Sequence, residues 1–583
     1  MNRSGFTLVE LVIAVGLAAI IFTGAYAAYS SILDTVVNSE LRTEAANVIN
    51  RQIEIMRNLP YEDIGIVGGT PSGVIPEEQM ILSGRINFLI NTYIRNVDDI
   101  FDGTSASDTA PADYKLIEVL TSCPSCKHFV PLAFTTTIAP KNLESATNNG
   151  SLFVNVFNGN GEPIQGASIH VVNQSVSPPI NFTDTTNNIG QLRIIDTPTS
   201  TQNYHITVTK QTYSSDQTYP PGAAQNPNPV KPDATVVAKT LTTISFAIDK
   251  VSQINVKTSN NLCAPAPNQK FSIAGSKLIG TNPNIFKFST SSVTDSNGLF
   301  NFSNIEWDAY NFSLLSTSSD LLGTIPSLPL IVNPNTVSDF QFVVTPAAPD
   351  SLLVYIKDVV SSTPINGASV TLSSGGYSKI LTSGHAFTND SDWSGGNYSS
   401  ESSGMDADST SGEISLLASA SSTYPTSTEW LISNTIDTNS TGASFYSISW
   451  LPTTQPSETG NSVKFQIAAN NDGTTWNFTG PGNDSNAYYT SSTSDISGLY
   501  NDNRYFRYKI FLSTADQNYT PTVTSVKIEF KSVCVPPGEV LFNNLQSGAY
   551  NISVSASGYD LATSTASVTS NYQQKNILLL PSE

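Results

Sequence analysis

Charge is scarce in this chain, and basic charge is scarcest: 13% of the 583 residues are Asp, Glu, Lys or Arg, with 27 Lys and Arg against 47 Asp and Glu. A surface that neutralises nucleic-acid phosphates needs clustered Lys and Arg, so a net charge of −20 argues against a nucleic-acid partner. No acidic block is long enough to form a disordered tail, and the charge is spread over a soluble surface. Histidine is rare: His128, His170, His205 and His385 are scattered along the chain. Nucleophile-elbow, HExxH, P-loop and GxGxxG motifs are all missing. The chain is therefore read as not an enzyme; a paired-carboxylate glycosidase is the class that two distant acids would still permit.

Long apolar runs are also missing after residue 30, so nothing suggests a second membrane span. The first thirty residues are the opposite. A short polar leader, Met1-Asn2-Arg3-Ser4-Gly5, runs into an apolar stretch from Phe6 to Ser30 interrupted by one carboxylate, Glu10. About 20 apolar residues span a bilayer as a helix, and Phe6 to Ala28 supplies them without a Pro. A secretory signal would have a basic region, a shorter apolar core and a cleavage site beyond it. Arg3 precedes the span and Asp34 and Glu40 follow it, which puts the remainder outside the cytoplasm. A carboxylate inside a membrane helix costs roughly 2.5–3.5 kcal/mol or more and calls for a partner. The bland alternative for Glu10 is an accidental acid in a simple anchor.

Gly5, Phe6 and Glu10 in this layout resemble the type IV prepilin signal. The resemblance implies that a prepilin peptidase cuts after Gly5 and N-methylates Phe6. It further implies that Glu10, the fifth mature residue, pairs with the new amine of a neighbouring pilin or pseudopilin subunit.

An apolar stripe continues through Leu33, Val37, Leu41, Ala45, Ile49, Ile53 and Met56 and stops before Pro60. One helix over 6–59 is expected, transmembrane over 6–28, with a break near Gly24 as the alternative. At 60–148 a Gly- and Pro-rich loop, Gly65 to Gln79, leads into alternating runs at Ile86–Ile94, Tyr114–Leu120 and Val130–Ile138. These predict a small antiparallel head covering the second half of the helix, as in pilin heads. Cys123-Pro124-Ser125-Cys126 sits between the last two runs. It has no βαβ context and no fourth metal ligand beside His128. A disulfide at a hairpin tip suits an oxidising exterior; two free thiols and a metal site are the alternatives.

With 36 Gly, 33 Pro and abundant Ser, Thr and Asn, the rest reads as several β domains. Internal repetition organises them. Leu152-Phe153-Val154-Asn155-Val156 leads to Pro163-Ile164-Gln165-Gly166-Ala167, and Leu352-Leu353-Val354-Tyr355-Ile356 leads to Pro364-Ile365-Asn366-Gly367-Ala368. A turn and strand signature, Asp295-Ser296-Asn297-Gly298 with Leu299 to Phe302, recurs as Gly538 to Leu545 followed by Gly548 to Val554. These units resemble carboxypeptidase regulatory-like, transthyretin-like sandwiches, at 150–249, at 250–347, and at 350–384 joined to 533–583. The resemblance implies rigid spacers without catalytic residues. The first copy departs with Asn187-Asn188-Ile189-Gly190 at its turn, and the second with Cys263-Ala264-Pro265-Ala266-Pro267. Cys263 and Cys534 are isolated and read as two buried thiols or as a long-range bridge.

The segment 385–532 interrupts the third copy, as an insertion at a loop whose ends lie close. It holds Trp393, Trp430, Trp450 and Trp476 and resembles the jelly-roll sandwiches of lectins and carbohydrate-binding modules. Those tryptophans are either core, as aromatics in sandwiches commonly are, or a platform for surface glycans. Asp390, Asp392, Asp406 and Asp408 are either solvated or a structural Ca²⁺ site.

The expected fold class is α+β: a long N-terminal helix with a small antiparallel head, then β-sandwiches in series, one carrying an inserted jelly roll. The expected function is a single-pass, methylated minor pilin-like surface protein that projects a β stalk and an adhesive end. The alternatives are a minor pseudopilin of a secretion or DNA-uptake apparatus and a membrane-tethered glycan-processing enzyme.

Overall fold

The computed structural model describes residues 8–84, 86–99, 112–126, 129–140, 148–407, 412–569 and 571–582. One long helix is followed by β-structure throughout, as the sequence predicts. Helix α1 runs from Leu8 to Arg57 without a break at Gly24. Its 50 residues span about 75 Å at 1.5 Å per residue. Pro60, which cannot continue a helix, lies just beyond its end.

Only the C-terminal part of α1 is covered. Leu41 is buried, and Ala45, Val48, Ile49, Ile53 and Met56 pack with Phe88, Ile90, Ile94, Ile117 and Val119 of a four-stranded antiparallel head. Leu33 and Val37, read as part of the same stripe, are 45% and 52% exposed, so the head begins only opposite Leu41. The head's strands are Glu78–Ser83, Ile86–Val97, Tyr114–Ser122 and Leu132–Ile138, in that order. The first was missed in the sequence because it is an edge strand whose Met80 and Leu82 point outward. Buried Lys115 fastens the sheet to the segment after the helix, donating to the carbonyls of Tyr61 (2.7 Å) and Ile64 (2.6 Å).

The chain divides into two compact units, one reaching Val251 and including Leu278–Ile285, the other formed by Ser252–Lys277 and the chain from Phe286 on. The first unit holds α1, the head and the first sandwich. In that sandwich one sheet is Leu241–Ala247, Gly150–Phe157, Gln191–Thr197. The other centres on Ser168–Asn173 between Ile180–Thr185 and Ser200–Thr209. Arg95 of the head holds Asp184 of the sandwich through both oxygens, Nε to Oδ2 at 2.6 Å.

The second unit contains two further sandwiches of the same plan. The second sandwich pairs Leu299–Ile305, Ser252–Ser259, Val337–Pro346 and Ser319–Ile325 in one sheet, over a core of Phe271, Phe312, Phe340 and Phe342. The third is assembled across a gap in sequence: Ser351–Asp358 lies between Glu539–Phe542 and Tyr572–Leu579, and Ser369–Ser374 pairs with Gly548–Ser555. Between these halves, Ala386 to Lys531 folds as a separate sandwich with its own core, including Phe445, Phe465, Phe506, Ile510 and Ile528.

The three repeated sandwiches share the same backbone contacts at one turn although their sequences there differ. The amides of Val156, Thr258 and Ile356 donate to the carbonyls of Gly190 (2.7 Å), Gly298 (2.8 Å) and Gly538 (2.8 Å). Each glycine has φ near +70°, and a Cβ there would sit 2.5–2.8 Å from the facing carbonyl oxygen of the opening strand. Asn187 and Asp295 fill the same turn role, each Oδ1 accepting two backbone amides. The bridges Phe157–Pro163, Ser259–Pro265 and Lys357–Pro364 coincide, so Cys263 to Pro267 does the work of the Pro-x-x-Gly-Ala turn.

Cys263 is bonded to Cys534, across 271 residues, rather than buried as a separate thiol. The bond joins the turn of the second sandwich to the exit of the inserted one. Nearby, Asn439 Nδ2 donates to the Leu262 carbonyl at 2.7 Å. The second and third sandwiches also meet through Leu353, Tyr355, Leu541 and Tyr572, and through Glu539, whose Oε2 accepts the Thr324 amide at 3.0 Å.

Glu539 Oε1 has no partner, and burial pushes its carboxyl up to about 8, against smaller lowering effects from the Thr324 amide and Lys357. Between the ordinary carboxyl range and pH 8 the folded chain holds a proton that the unfolded chain has released. Stability from this group is therefore full in acid and falls as pH rises toward 8. Glu539→Gln keeps an acceptor for Thr324 and is expected to flatten the decline in melting temperature between about pH 5 and pH 8. A mutant profile parallel to wild type in thermal melts of the full chain in detergent would contradict this.

Candidate functional site

Two places in the chain carry candidate functional residues. The first is the N-terminal motif. Gly5 and Phe6 lie outside the described residues; Glu10 is within α1, but its side chain lies outside them. Beyond them, Ile13, Val15, Leu17, Ile20, Ile21 and Phe22 are exposed on the helix. Among the described residues α1 is the one helix long and apolar enough to cross a membrane, and its apolar window is uncovered by protein. Thr23 in this half returns its hydroxyl to the carbonyl of Ala19 (2.9 Å) in the preceding turn, which satisfies that donor within the helix.

The second is the inserted sandwich, where burial divides the four tryptophans, strand parity placing Trp430 and Trp450 and loops placing Trp393 and Trp476. Trp393 (1% exposed) and Trp450 (4%) are core residues, Trp450 stacking on Phe465 with centroids 4.4 Å apart. Trp430 and Trp476 are half-buried on the outside of the sheet formed by Glu429–Ile432, Tyr505–Leu512 and Val463–Asn470. Lys509 Nζ lies 4.4 Å from the Trp430 ring and Arg507 Cζ 4.5 Å from the Trp476 ring. Simple alternation through Phe445, Ser447 and Ser449 fails to find the inward Trp450, because a bulge between Phe445 and Ser447 shifts the parity. The extra residue, Tyr446, stacks on His385 at 4.0 Å.

The acidic candidates do not converge. Tyr508 OH donates to Asp390 Oδ2 at 2.6 Å and receives Trp393 Nε1 at 3.2 Å, a buried relay in which desolvation raises the Asp390 carboxyl. Asp392 instead accepts the amide and hydroxyl of Ser394, which lower it. Asp406 lies on the separate strand Met405–Asp406, and Asp408 is outside the described residues. Among the described residues no three His, Cys, Asp or Glu side chains are grouped to hold a metal ion, since Asp390 and Asp392 are each satisfied by a different neighbour.

Cys123 and Cys126 are bonded to each other at the end of the Tyr114–Ser122 strand, with the Cys126 amide turned back to the Cys123 carbonyl at 3.2 Å. His128 lies outside the described residues. The other histidines are engaged singly, His170 with Asn181, His205 with Asp233 and His385 with Glu529. A cleft of about 480 Å³ between the head and the first sandwich is lined by Arg95, Asn96, Phe153 and Arg193 among others.

The family model of the prokaryotic N-terminal methylation motif matches residues 1–26. No curated protein matches the chain. Among solved structures, the TIE protein of Bacillus anthracis is similar over 86% of this chain and 73% of its own, at 9% identity and a TM-score of 0.16. A streptococcal ancillary pilin covers 39% of this chain and 75% of its own at 10% identity, TM-score 0.18. The minor pilin GBS52 of Streptococcus agalactiae covers 34% and 97% at 11% identity, TM-score 0.16. The chain thus carries a prepilin-type methylation motif at the head of a membrane-competent helix. Such a motif implies processing by a prepilin peptidase and assembly with other pilins.

Tyr508→Phe should leave Asp390 and Trp393 buried without their shared partner, at a cost of about 1–3 kcal/mol. Urea unfolding of the full chain, followed by tryptophan fluorescence, measures this; an unchanged midpoint would show that the relay is not a stabilising contact.

Proposed function

We propose that this chain is a minor type IV pilin-like surface protein. A prepilin peptidase cleaves it after Gly5 and methylates Phe6, and the exposed half of α1 enters the filament, with Glu10 taking the amine of a neighbouring subunit. The observation that carries this reading is the methylation motif on a helix that is apolar and bare over its first half and packed on a head from Leu41 onward. The three sandwiches act as a stalk of carboxypeptidase regulatory-like, transthyretin-like modules; their shared glycine turns and matching first and last strands support that assignment. The inserted sandwich is the adhesive, glycan-binding part, supported by Trp430 and Trp476 standing outside its core.

Glu10→Ala is expected to leave cleavage after Gly5 intact while reducing incorporation into sheared filaments several-fold, read by immunoblot against the membrane fraction. Normal incorporation would remove the charge pair as the recruiting contact. In immunogold labelling, decoration of filaments supports the pilin role; label confined to the envelope would reassign the chain to a secretion or uptake pseudopilin.

A further inference from the structure

The outward face of the Glu429–Ile432, Tyr505–Leu512, Val463–Asn470 sheet has a composition unlike the rest of this acidic chain. Along Tyr505–Leu512, Phe506, Tyr508, Ile510 and Leu512 enter the core, which turns Tyr505, Arg507, Lys509 and Phe511 outward. Register places Trp430 and Lys464 on either side of Phe511, and Ile432 and Gln466 on either side of Lys509. Tyr488 closes one border, 5.1 Å edge-on from Phe511 and 5.6 Å from Lys464 Nζ. Trp476 stands over Arg507. Aromatic rings and cations thus alternate across the face.

Among the described residues the cations here have no counter-charge. Arg507 donates only to hydroxyls, those of Thr435 (2.8 Å) and Ser399 (3.0 Å), and neither Lys464 nor Lys509 meets a carboxylate. The nearby acids are already used: Asp437 by Arg504, and Glu429 by Ser402 and Ser427. Desolvation lowers both Arg507 and Lys509 from their ordinary values. Two cations that lose hydration without gaining an anion form a site an anionic ligand would complete. They sit about 7 Å apart along one strand, flanked by rings suited to the apolar faces of sugars.

We infer that this face binds an acidic polysaccharide, its carboxylates meeting Arg507, Lys509 and Lys464 and its sugar rings packing on Trp430 and Trp476. The assignment rests on the adhesive reading of the inserted sandwich and names its ligand class. A polyphosphate chain such as nucleic acid is the poorer fit, since three cations cannot offset its charge density against a protein of net charge −20.

The test uses the full chain in detergent micelles, with polygalacturonate, neutral dextran and oligodeoxythymidylate as immobilised probes. Retention on polygalacturonate that weakens with salt is expected. Lys509→Gln and Arg507→Gln together should weaken it about tenfold or more at unchanged melting temperature. Trp430→Ala should weaken it as well. Polygalacturonate binding indifferent to the double substitution, or stronger binding to the oligonucleotide, would overturn the inference. Dextran binding that is lost in Trp430→Ala but unaffected by Lys509→Gln would overturn the acidic class and leave the adhesive reading standing. Retention on none of the three would overturn both.

Discussion

The direction of the first and last strands governs how this chain is built. In each repeated sandwich these strands are neighbours and parallel: Gly150–Phe157 with Leu241–Ala247, Ser252–Ser259 with Val337–Pro346, and Ser351–Asp358 with Tyr572–Leu579. A parallel pair cannot be closed by a hairpin, so the chain must enter such a module at one end and leave at the other. That property makes the module suitable for joining in series. One closing strand ends at Ala247 and the next module opens at Ser252; another ends at Pro346 and the next opens at Ser351. The inserted sandwich obeys the opposite rule. Its entry strand Ala386–Asp390 is antiparallel to its exit strand Ser525–Lys531, with Ala386 beside Phe530, so the chain enters and leaves at one end. Insertion into a loop of the third sandwich requires that geometry.

Joints between such modules need contacts that resist bending, and in the second unit they are of three kinds. Apolar contact comes from Leu353, Tyr355, Leu541 and Tyr572. A covalent tie comes from Cys263–Cys534, which holds the exit of the insertion to the neighbouring module's turn. The third is the buried Glu539 carboxyl on the Thr324 amide. A buried acid with one satisfied oxygen contributes little net stability, but it penalises any register in which Thr324 is displaced. The joint is thereby selective as well as adhesive.

Much of this was legible in the sequence because it is local. Glycine at a left-handed turn, proline before an opening-strand bridge and alternating strands leave signals within a few residues, and so the repeats and the helix could be read directly. What escaped notice was non-local or low in contrast. The edge strand Glu78–Ser83 alternates only between exposed and half-buried positions, with apolar Met80 and Leu82 on its exposed side, so hydrophobicity does not mark its face. The bulge at Tyr446 reverses parity with no glycine to mark it. The Cys263–Cys534 bond is one of two readings left open, because sequence spacing cannot show that these residues meet when the third sandwich closes around the insertion. The divided fate of the tryptophans is of the same kind: Trp430 and Trp450 both sit in strand-like runs, and only pairing with Phe511 or Val526 reveals which face each occupies.

The same accounting gives the N-terminal helix its meaning. An apolar surface as large as that from Ile13 to Val37 stays uncovered in a soluble chain only at the cost of aggregation, so its partner must be lipid or the helices of other subunits. In a helical filament every copy packs against its neighbours, and in the proposed role this chain would bring four β-sandwiches with it after the head in sequence. In the proposed role the helix is therefore a dock, with the head's single sheet covering one face of its C-terminal part. Under the proposed function, that size would suit a low-copy position, whatever the inserted domain binds.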